Sequence, residues 1–148
     1  MIRLRPSVPQ DGQRVVDIWR GAVDATHDFL SAADRAAIEA EVREFLPNAP
    51  LWLAVDADDR PVGFMLLSDG RMEALFIEPA VRGQGVGRRL VEHALALHGA
   101  VSTDVNEQNG QALGFYRRLG FVPTGRSDLD GQGRPYALIH LRYSAERD

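Results

Sequence analysis

Glycine recurs at alternate positions in Arg82-Gly83-Gln84-Gly85-Val86-Gly87, between the extended run Met72 to Ile77 and the helically spaced Leu90, Val91, Ala94, Leu95 and Leu97. A backbone without side chains at alternate residues turns sharply and lets an anion approach its amides. A helix that starts there adds unpaired N–H groups and its dipole. A strand, a glycine loop and a helix in succession, followed by the strand-like Val101 to Val105, make a βαβ unit and commit this region to a parallel strand pair. The dinucleotide fingerprint needs its third glycine three residues after the second, where this chain has Arg88, and the Gly-Lys-Ser/Thr of a nucleotide phosphate loop is absent. The glycines alone leave two readings open, a tight turn without ligand and an anion cradle.

The remaining chain supplies the other elements of an α/β sheet. Ile2 and Leu4 alternate with Arg3 and Arg5 as an opening strand, and Val15, Val16, Ile18, Trp19, Ala22 and Val23 keep helical spacing after Pro9. Ala25 to Leu30 interrupts that helix, and Ser31 with Asp34 marks the start of a second one that runs to about Leu46. Leu51 to Val55, the run from Val62 to Leu67 and Met72 to Ile77 read as a meander, with Asp69-Gly70 as a hairpin turn. Gln108 to Leu119 reads as a helix ended by Gly120, Phe121-Val122 opens another strand, and Tyr136 to Tyr143 is the last. The order βααβββαβαββ predicts an α/β (α+β) sheet of mixed direction in a single domain over residues 1–148.

Several function classes are excluded or disfavoured. The apolar runs fall far short of the roughly 18 residues that cross a bilayer, and Met1 to Pro6 has no apolar signal core, so the cytoplasm is the expected compartment. The absence of Cys excludes a disulfide framework, a thiolate metal site and a cysteinyl nucleophile. His93, His98 and His140 show no metal spacing, so no metal is expected. A net charge of −4 disfavours nucleic acid and anionic membrane and suits a cationic partner.

Three motifs in order carry a resemblance. Arg82-Gly83-Gln84-Gly85-Val86-Gly87 is similar to the pyrophosphate loop of the GNAT superfamily of acyl-coenzyme A-dependent N-acetyltransferases. Leu75-Phe76-Ile77-Glu78-Pro79 resembles that family's fourth strand and its exit, and Asn109, Ala112, Phe115, Tyr116, Gly120 and Phe121 fall on its second cofactor motif. The resemblance implies a mostly antiparallel mixed sheet flanked by helices, with a splayed parallel strand pair at the cofactor site. It implies acetyl-coenzyme A as co-substrate, with Leu75, Phe76 and Ile77 along the pantetheine arm. Arg82, Gly83, Gln84, Gly85, Val86, Gly87 and Arg88 would surround the pyrophosphate, and Asn109, Phe115 and Tyr116 would flank the arm.

The implied reaction is direct attack of a primary amine, a lysine side chain or a peptide N-terminus, on the acetyl thioester. A lysine amine at its reference pKa is only about 1 part in 2,500 neutral at pH 7, a handicap of roughly 4.6 kcal/mol, so a proton acceptor is useful. Tyr116 matches the family's general acid; its alternative is a helix residue whose ring packs in the core. Glu73 shares a strand face with Leu75 and Ile77 and is the candidate base; its alternative is a solvated edge residue. His27, Asp28 and Phe29 lie between the first two helices, where the family builds its substrate wall. Asp24, Asp28, Glu39, Glu41 and Glu44 make an acidic side that is either acceptor-binding or a solvated helix face. Gly114, inside a predicted helix, is explained either by cofactor approach or by close packing on a strand. A non-catalytic acyl-coenzyme A binding module is the alternative function, and exposed apolar residues of the last strand suggest a homodimer beside a monomer.

Overall fold

The computed structural model describes residues 2–26 and 29–144. Its elements follow the expected order: β1 Arg3–Pro6, α1 Gly12–Thr26, α2 Ala32–Phe45, β2 Leu51–Val55, β3 Pro61–Ser68, β4 Arg71–Ile77, α3 Val86–His98, β5 Ala100–Asn106, α4 Gly110–Leu119, β6 Val122–Ser127 and β7 Leu138–Ser144. One seven-stranded sheet runs in the order β1-β2-β3-β4-β5-β7-β6. The pairs β1 with β2, β2 with β3, β5 with β7 and β6 with β7 are antiparallel, and β4 with β5 is parallel, with Arg71 opposite Ser102 and Met72 opposite Thr103. The mixed sheet flanked by helices is therefore the observed architecture.

Local chemistry explains the element ends. The Ser31 hydroxyl accepts the Asp34 N–H at 3.1 Å, capping α2, and Asn109 Oδ1 accepts the Ala112 N–H at 3.1 Å, capping α4. Gly120 closes α4 in the left-handed conformation at φ 106°. Asp69 and Gly70 both take positive φ, 50° and 82°, as a two-residue hairpin between strands of right-handed twist requires. The last strand starts at Leu138 rather than Tyr136, because Asp130 organises the preceding loop by accepting the N–H groups of Gln132 and Arg134.

The chain's contacts divide into two compact units, Met1–Leu66 with Ala74–Leu90, and Leu67–Glu73 with Val91–Asp148. The first has its core where Val15, Ile18, Trp19 and Val23 of α1 lie with Leu51, Leu53 and Val55 of β2 and Phe64 and Leu66 of β3. Phe76 of β4 packs its ring 5.6 Å from that of Phe64. The second buries Val91, Ala94, Val101, Val105, Tyr116, Phe121 and Leu141. Leu141 is buried, and the large apolar side chains that are exposed, Val8, Phe45, Leu97, Val122 and Leu129, lie outside β7. The expected apolar surface on the last strand is thus corrected: β7 lies between β5 and β6 in the sheet, where alternate side chains face a core.

Asp11 ties β1 to the start of α1. Its carboxylate accepts two bonds from Arg5, at 2.9 and 3.0 Å, and the Val8 N–H at 2.9 Å. The Arg5 hydrogen bonds hold its pKa below the ordinary 3.8 against the opposing effect of burial. A depressed folded-state pKa gives stability that is present above the unfolded value and lost as pH falls through the folded one. Urea unfolding of the wild type is expected to weaken below about pH 4, and Asp11→Asn to flatten that dependence while losing stability at pH 7; equal pH slopes in both proteins would contradict the assignment.

Gly63 is a second constraint, since a Cβ there would stand 2.8 Å from Ile77 Cδ1 and 3.2 Å from Val86 Cγ1. Gly63→Ala is expected to cost about 1–3 kcal/mol by overpacking, read from the urea midpoint at constant slope.

Candidate active site

In the first unit, β4 delivers the chain to the glycine loop through a fixed exit. The Glu78 N–H donates to Val62 O at 2.8 Å, and its carboxylate meets Arg14 at 2.7 Å and Arg60 at 3.4 Å. Arg14 Nε also donates to Pro61 O at 2.9 Å, so α1, the start of β3 and the end of β4 share one polar cluster. A short 3₁₀ turn at Pro79–Val81 follows, and the loop then takes left-handed φ at Gly83, 78°, and Gly85, 82°. An added Cβ at either glycine would meet no atom within 4 Å, so glycine is required there by backbone conformation, and open space lies over the loop.

Gly85 O accepts the Arg89 N–H at 3.0 Å, which makes the loop the N-terminal cap of α3. The first amides of a helix have no carbonyl of their own helix to bond, and here they are those of Val86, Gly87 and Arg88. Gly83, Gln84, Gly85 and Arg88 are exposed, Arg82 is half-buried, and Val86 and Gly87 are buried. Helix-start amides without a carbonyl of their own helix, left-handed glycines with open space and the guanidinium side chains of Arg82 and Arg88 fit a pyrophosphate. Leu75, Phe76 and Ile77 are half-buried at the end of β4.

His27 and Asp28 lie outside the described residues; Phe29 is half-buried just before the Ser31 cap. Two residues of the acidic side form ion pairs: Glu39 bonds Arg20, Arg35 and Arg43, and Asp24 bonds Arg35, whose guanidinium also stands 5.1 Å from the Trp19 ring centroid. A groove of about 400 Å³ runs along α2 between Ala32 and Arg43, and of the acidic residues expected on this side Glu39 lines it.

In the second unit, Tyr116 is 6% exposed, its ring edge-on to Phe115 and to Phe121 at centroid distances of 5.0 and 5.1 Å. Burial pushes its pKa above the ordinary 10, and its hydroxyl is hydrogen-bonded to Thr103. Thr103 Oγ1 donates in turn to Met72 O at 2.9 Å, which fixes the direction of its proton and leaves its lone pairs for the phenol. Asn109 is buried and its side-chain oxygen is engaged in the helix cap. Glu73 is exposed and stands 3.8 Å from Arg71. Gly114 is corrected: a methyl there would approach only the tip of Arg118, so close packing on a strand is not its reason. Among the described residues no His, Asp and Glu side chains gather into a metal-holding group.

Sequence reasoning missed Glu78 as an anchor and Thr103 as the partner of the phenol. Glu78 was legible only as the end of a strand, and Thr103 as one polar residue in a strand whose alternate positions are buried.

Residues 47–123 match the family model of the acetyltransferase (GNAT) domain. The peptidyl-lysine N-acetyltransferases YjaB of Salmonella typhimurium and Escherichia coli are each 57% identical to this chain over 143 residues, 97% of its length and 99% and 97% of theirs. The solution structure of apo YjaB from Escherichia coli superposes with a TM-score of 0.94 at 57% identity, over 97% of each chain. The PaiA N-acetyltransferase of Thermoplasma acidophilum, solved with coenzyme A, shares the fold at a TM-score of 0.77 and 17% identity, over 97% of this chain and 99% of its own.

Tyr116 is expected to ionise above the ordinary phenol range because of its burial. Spectrophotometric titration of tyrosinate absorbance checks this: Tyr116→Phe is expected to remove the part of the signal that appears last, and removal of the earliest part would refute the burial effect.

Proposed function

The chain belongs to the GNAT acetyltransferases, and from that premise we propose that it transfers the acetyl group of acetyl-coenzyme A directly to a primary amine, with a peptidyl lysine as acceptor. The glycine loop carries this reading: Gly83 and Gly85 leave open space over the first amides of α3, which is what a pyrophosphate needs. The lysine acceptor rests on the 57% identity with two relatives named for that activity. Those relatives do not favour a non-catalytic binding module.

Both units are read as one catalytic domain over residues 1–148. Arg82, Gly83, Gln84, Gly85, Val86, Gly87 and Arg88 take the pyrophosphate, Leu75, Phe76 and Ile77 offer backbone groups to the pantetheine arm, and Asn109, Phe115 and Tyr116 complete the cofactor set. Acetyl-coenzyme A supplies the activated acyl group. Tyr116 stays protonated through the neutral range because burial disfavours the phenolate. A raised pKa makes full transfer to a thiolate, reference pKa about 8.5, uphill at the outset. The first contribution of the phenol is therefore a charge-assisted hydrogen bond to the departing sulfur, made as its O–H turns from Thr103, with the proton following as the charge develops. Glu73 is the assigned proton acceptor for the amine, and its exposure lets it exchange that proton with water. His27, Asp28 and Phe29 are assigned to the acceptor wall. A net charge of −4 suits a cationic acceptor. No helix among the described residues is long and apolar enough to cross a membrane. We place the protein in the cytoplasm as a monomer or homodimer without nucleic-acid or membrane partners.

The test is a steady-state assay of thiol release with a lysine peptide. Tyr116→Phe is expected to lower kcat by about 100-fold or more with little change in the KM for acetyl-coenzyme A. An Arg82→Ala/Arg88→Ala double variant is expected to raise that KM by about tenfold or more at near-constant kcat. Coenzyme A at about 100 times its Kd is expected to raise Tm by about 5–11 °C, and NAD at the same concentration to leave it unchanged. Unchanged kinetics in both variants would sink the assignment of these residues.

A further inference from the structure

A second arrangement of reactive side chains stands on β5, β7 and β6. Asp104 of β5 lies opposite His140 of β7, which lies opposite Gly125 of β6. His140 Nδ1 is 2.6 Å from Asp104 Oδ1, and His140 Nε2 is 2.7 Å from Ser127 Oγ. The other Asp104 oxygen accepts from Arg71 at 2.5 Å.

The proton assignment follows from the partners. Burial acts to raise the Asp104 pKa, but hydrogen bonds from His140 and Arg71 outweigh it and hold the carboxyl below its ordinary value. An ionised carboxylate only accepts, so Nδ1 carries a proton. In neutral imidazole Nε2 is then the acceptor, and the Ser127 hydroxyl donates to it. This is the nucleophile, base and orienter relation of an activated serine, in the order serine, histidine, aspartate through space.

The surroundings hold the group together and leave it reachable. Gly125 faces His140 without a side chain, and a Cβ there would stand 3.4 Å from Cδ2 of the ring, so the imidazole lies against bare backbone. The ladder shifts register between Pro123 and Gly125, and Ser127 lies beyond that irregularity on the same strand. The Asp104 side chain is 18% exposed and that of His140 33%, so the orienting group is the more enclosed and the base remains open to a small molecule.

We propose that Ser127, His140 and Asp104 form an acyl-accepting site for short activated acyl esters, separate from the amine acetylation assigned above. Ser127 Oγ bonds the acyl carbon, its proton passes to His140 Nε2, and the bond from acyl carbon to leaving oxygen breaks. The leaving alcohol takes the proton from His140, or departs as its anion while His140 passes that proton to water and is neutral again. Water then attacks the acyl-serine with His140 taking its proton, which releases the carboxylic acid and restores the hydroxyl. No oxidant or reductant enters. Asp104 is a positioning residue in this scheme: it fixes the tautomer and does not touch the ester.

The test is reaction of the purified chain with p-nitrophenyl acetate, followed by release of p-nitrophenol and by peptide mass spectrometry. One acetyl group on the peptide that contains Ser127 is expected. Ser127→Ala is expected to abolish that adduct and to retain acetyl-coenzyme A-dependent amine acetylation. His140→Gln is expected to slow acylation of Ser127 by about 100-fold or more. Asp104→Asn is expected to lower the maximal acylation rate without changing the ester concentration that half-saturates it, a split that a merely structural role would not give. Acetylation confined to lysines, or an equal rate of p-nitrophenol release in Ser127→Ala, would overturn the proposal. Loss of amine acetylation together with the serine adduct in Ser127→Ala would also overturn it, because the two sites would then be one.

Discussion

The Glu78 carboxylate and amide are the constraint on which the glycine loop depends. A loop with left-handed φ at Gly83 and Gly85 has few side-chain contacts of its own, so its course is set by what holds its two ends. At the upstream end Glu78 is fixed by Arg14, Arg60 and the carbonyl of Val62. At the downstream end Val86 is buried and the first turn of α3 forms on the Gly85 carbonyl. Gly63 lets Ile77 and Val86 approach from the two ends toward one strand position. On the proposed reading, a loop held at both ends gives up less ordering entropy when an anion binds than a mobile one would.

The second unit shows the opposite strategy, in which a reactive group is held by enclosure. Tyr116 has aromatic rings on two sides and a hydroxyl bound to Thr103, whose own proton goes to Met72 O. A phenol in such a place keeps its proton and its direction, and loses acidity in exchange. On the proposed reading the proton is kept until charge appears on the leaving group, when the O–H turns from Thr103 toward it.

The element order and most boundaries were legible in the sequence because they depend on local rules. Ser31 and Asn109 cap, Gly120 stops a helix and Asp69-Gly70 turns a hairpin through chemistry contained in a few residues. The glycine loop was legible for the same reason. The pairings of Tyr116 with Thr103 and of Asp104 with His140 and Ser127 were not, because each joins residues from different elements through a register that no local pattern determines. His140 read only as one of several histidines without metal spacing. Gly114 offered two readings, and the neighbours a methyl would meet there, which the sequence does not give, remove one of them.

Strand β5 brings these threads together, since its side chains alternate between half-buried and buried along its whole length. Val101, Thr103 and Val105 point to the buried face, where Thr103 meets the phenol; Ser102, Asp104 and Asn106 point to the other, where Asp104 meets the imidazole. Two adjacent residues thus serve two polar networks that share a backbone and no side-chain atom. Their energetic coupling is confined to shifts of the strand itself, so perturbing Asp104 leaves the Tyr116–Thr103 bond in place while the parallel pairing of Met72 with Thr103 persists. A single-residue slip of β5 against β4 or β7 would exchange the two faces and destroy both networks at once. The register of this one strand therefore carries more chemical information than any single motif in the chain.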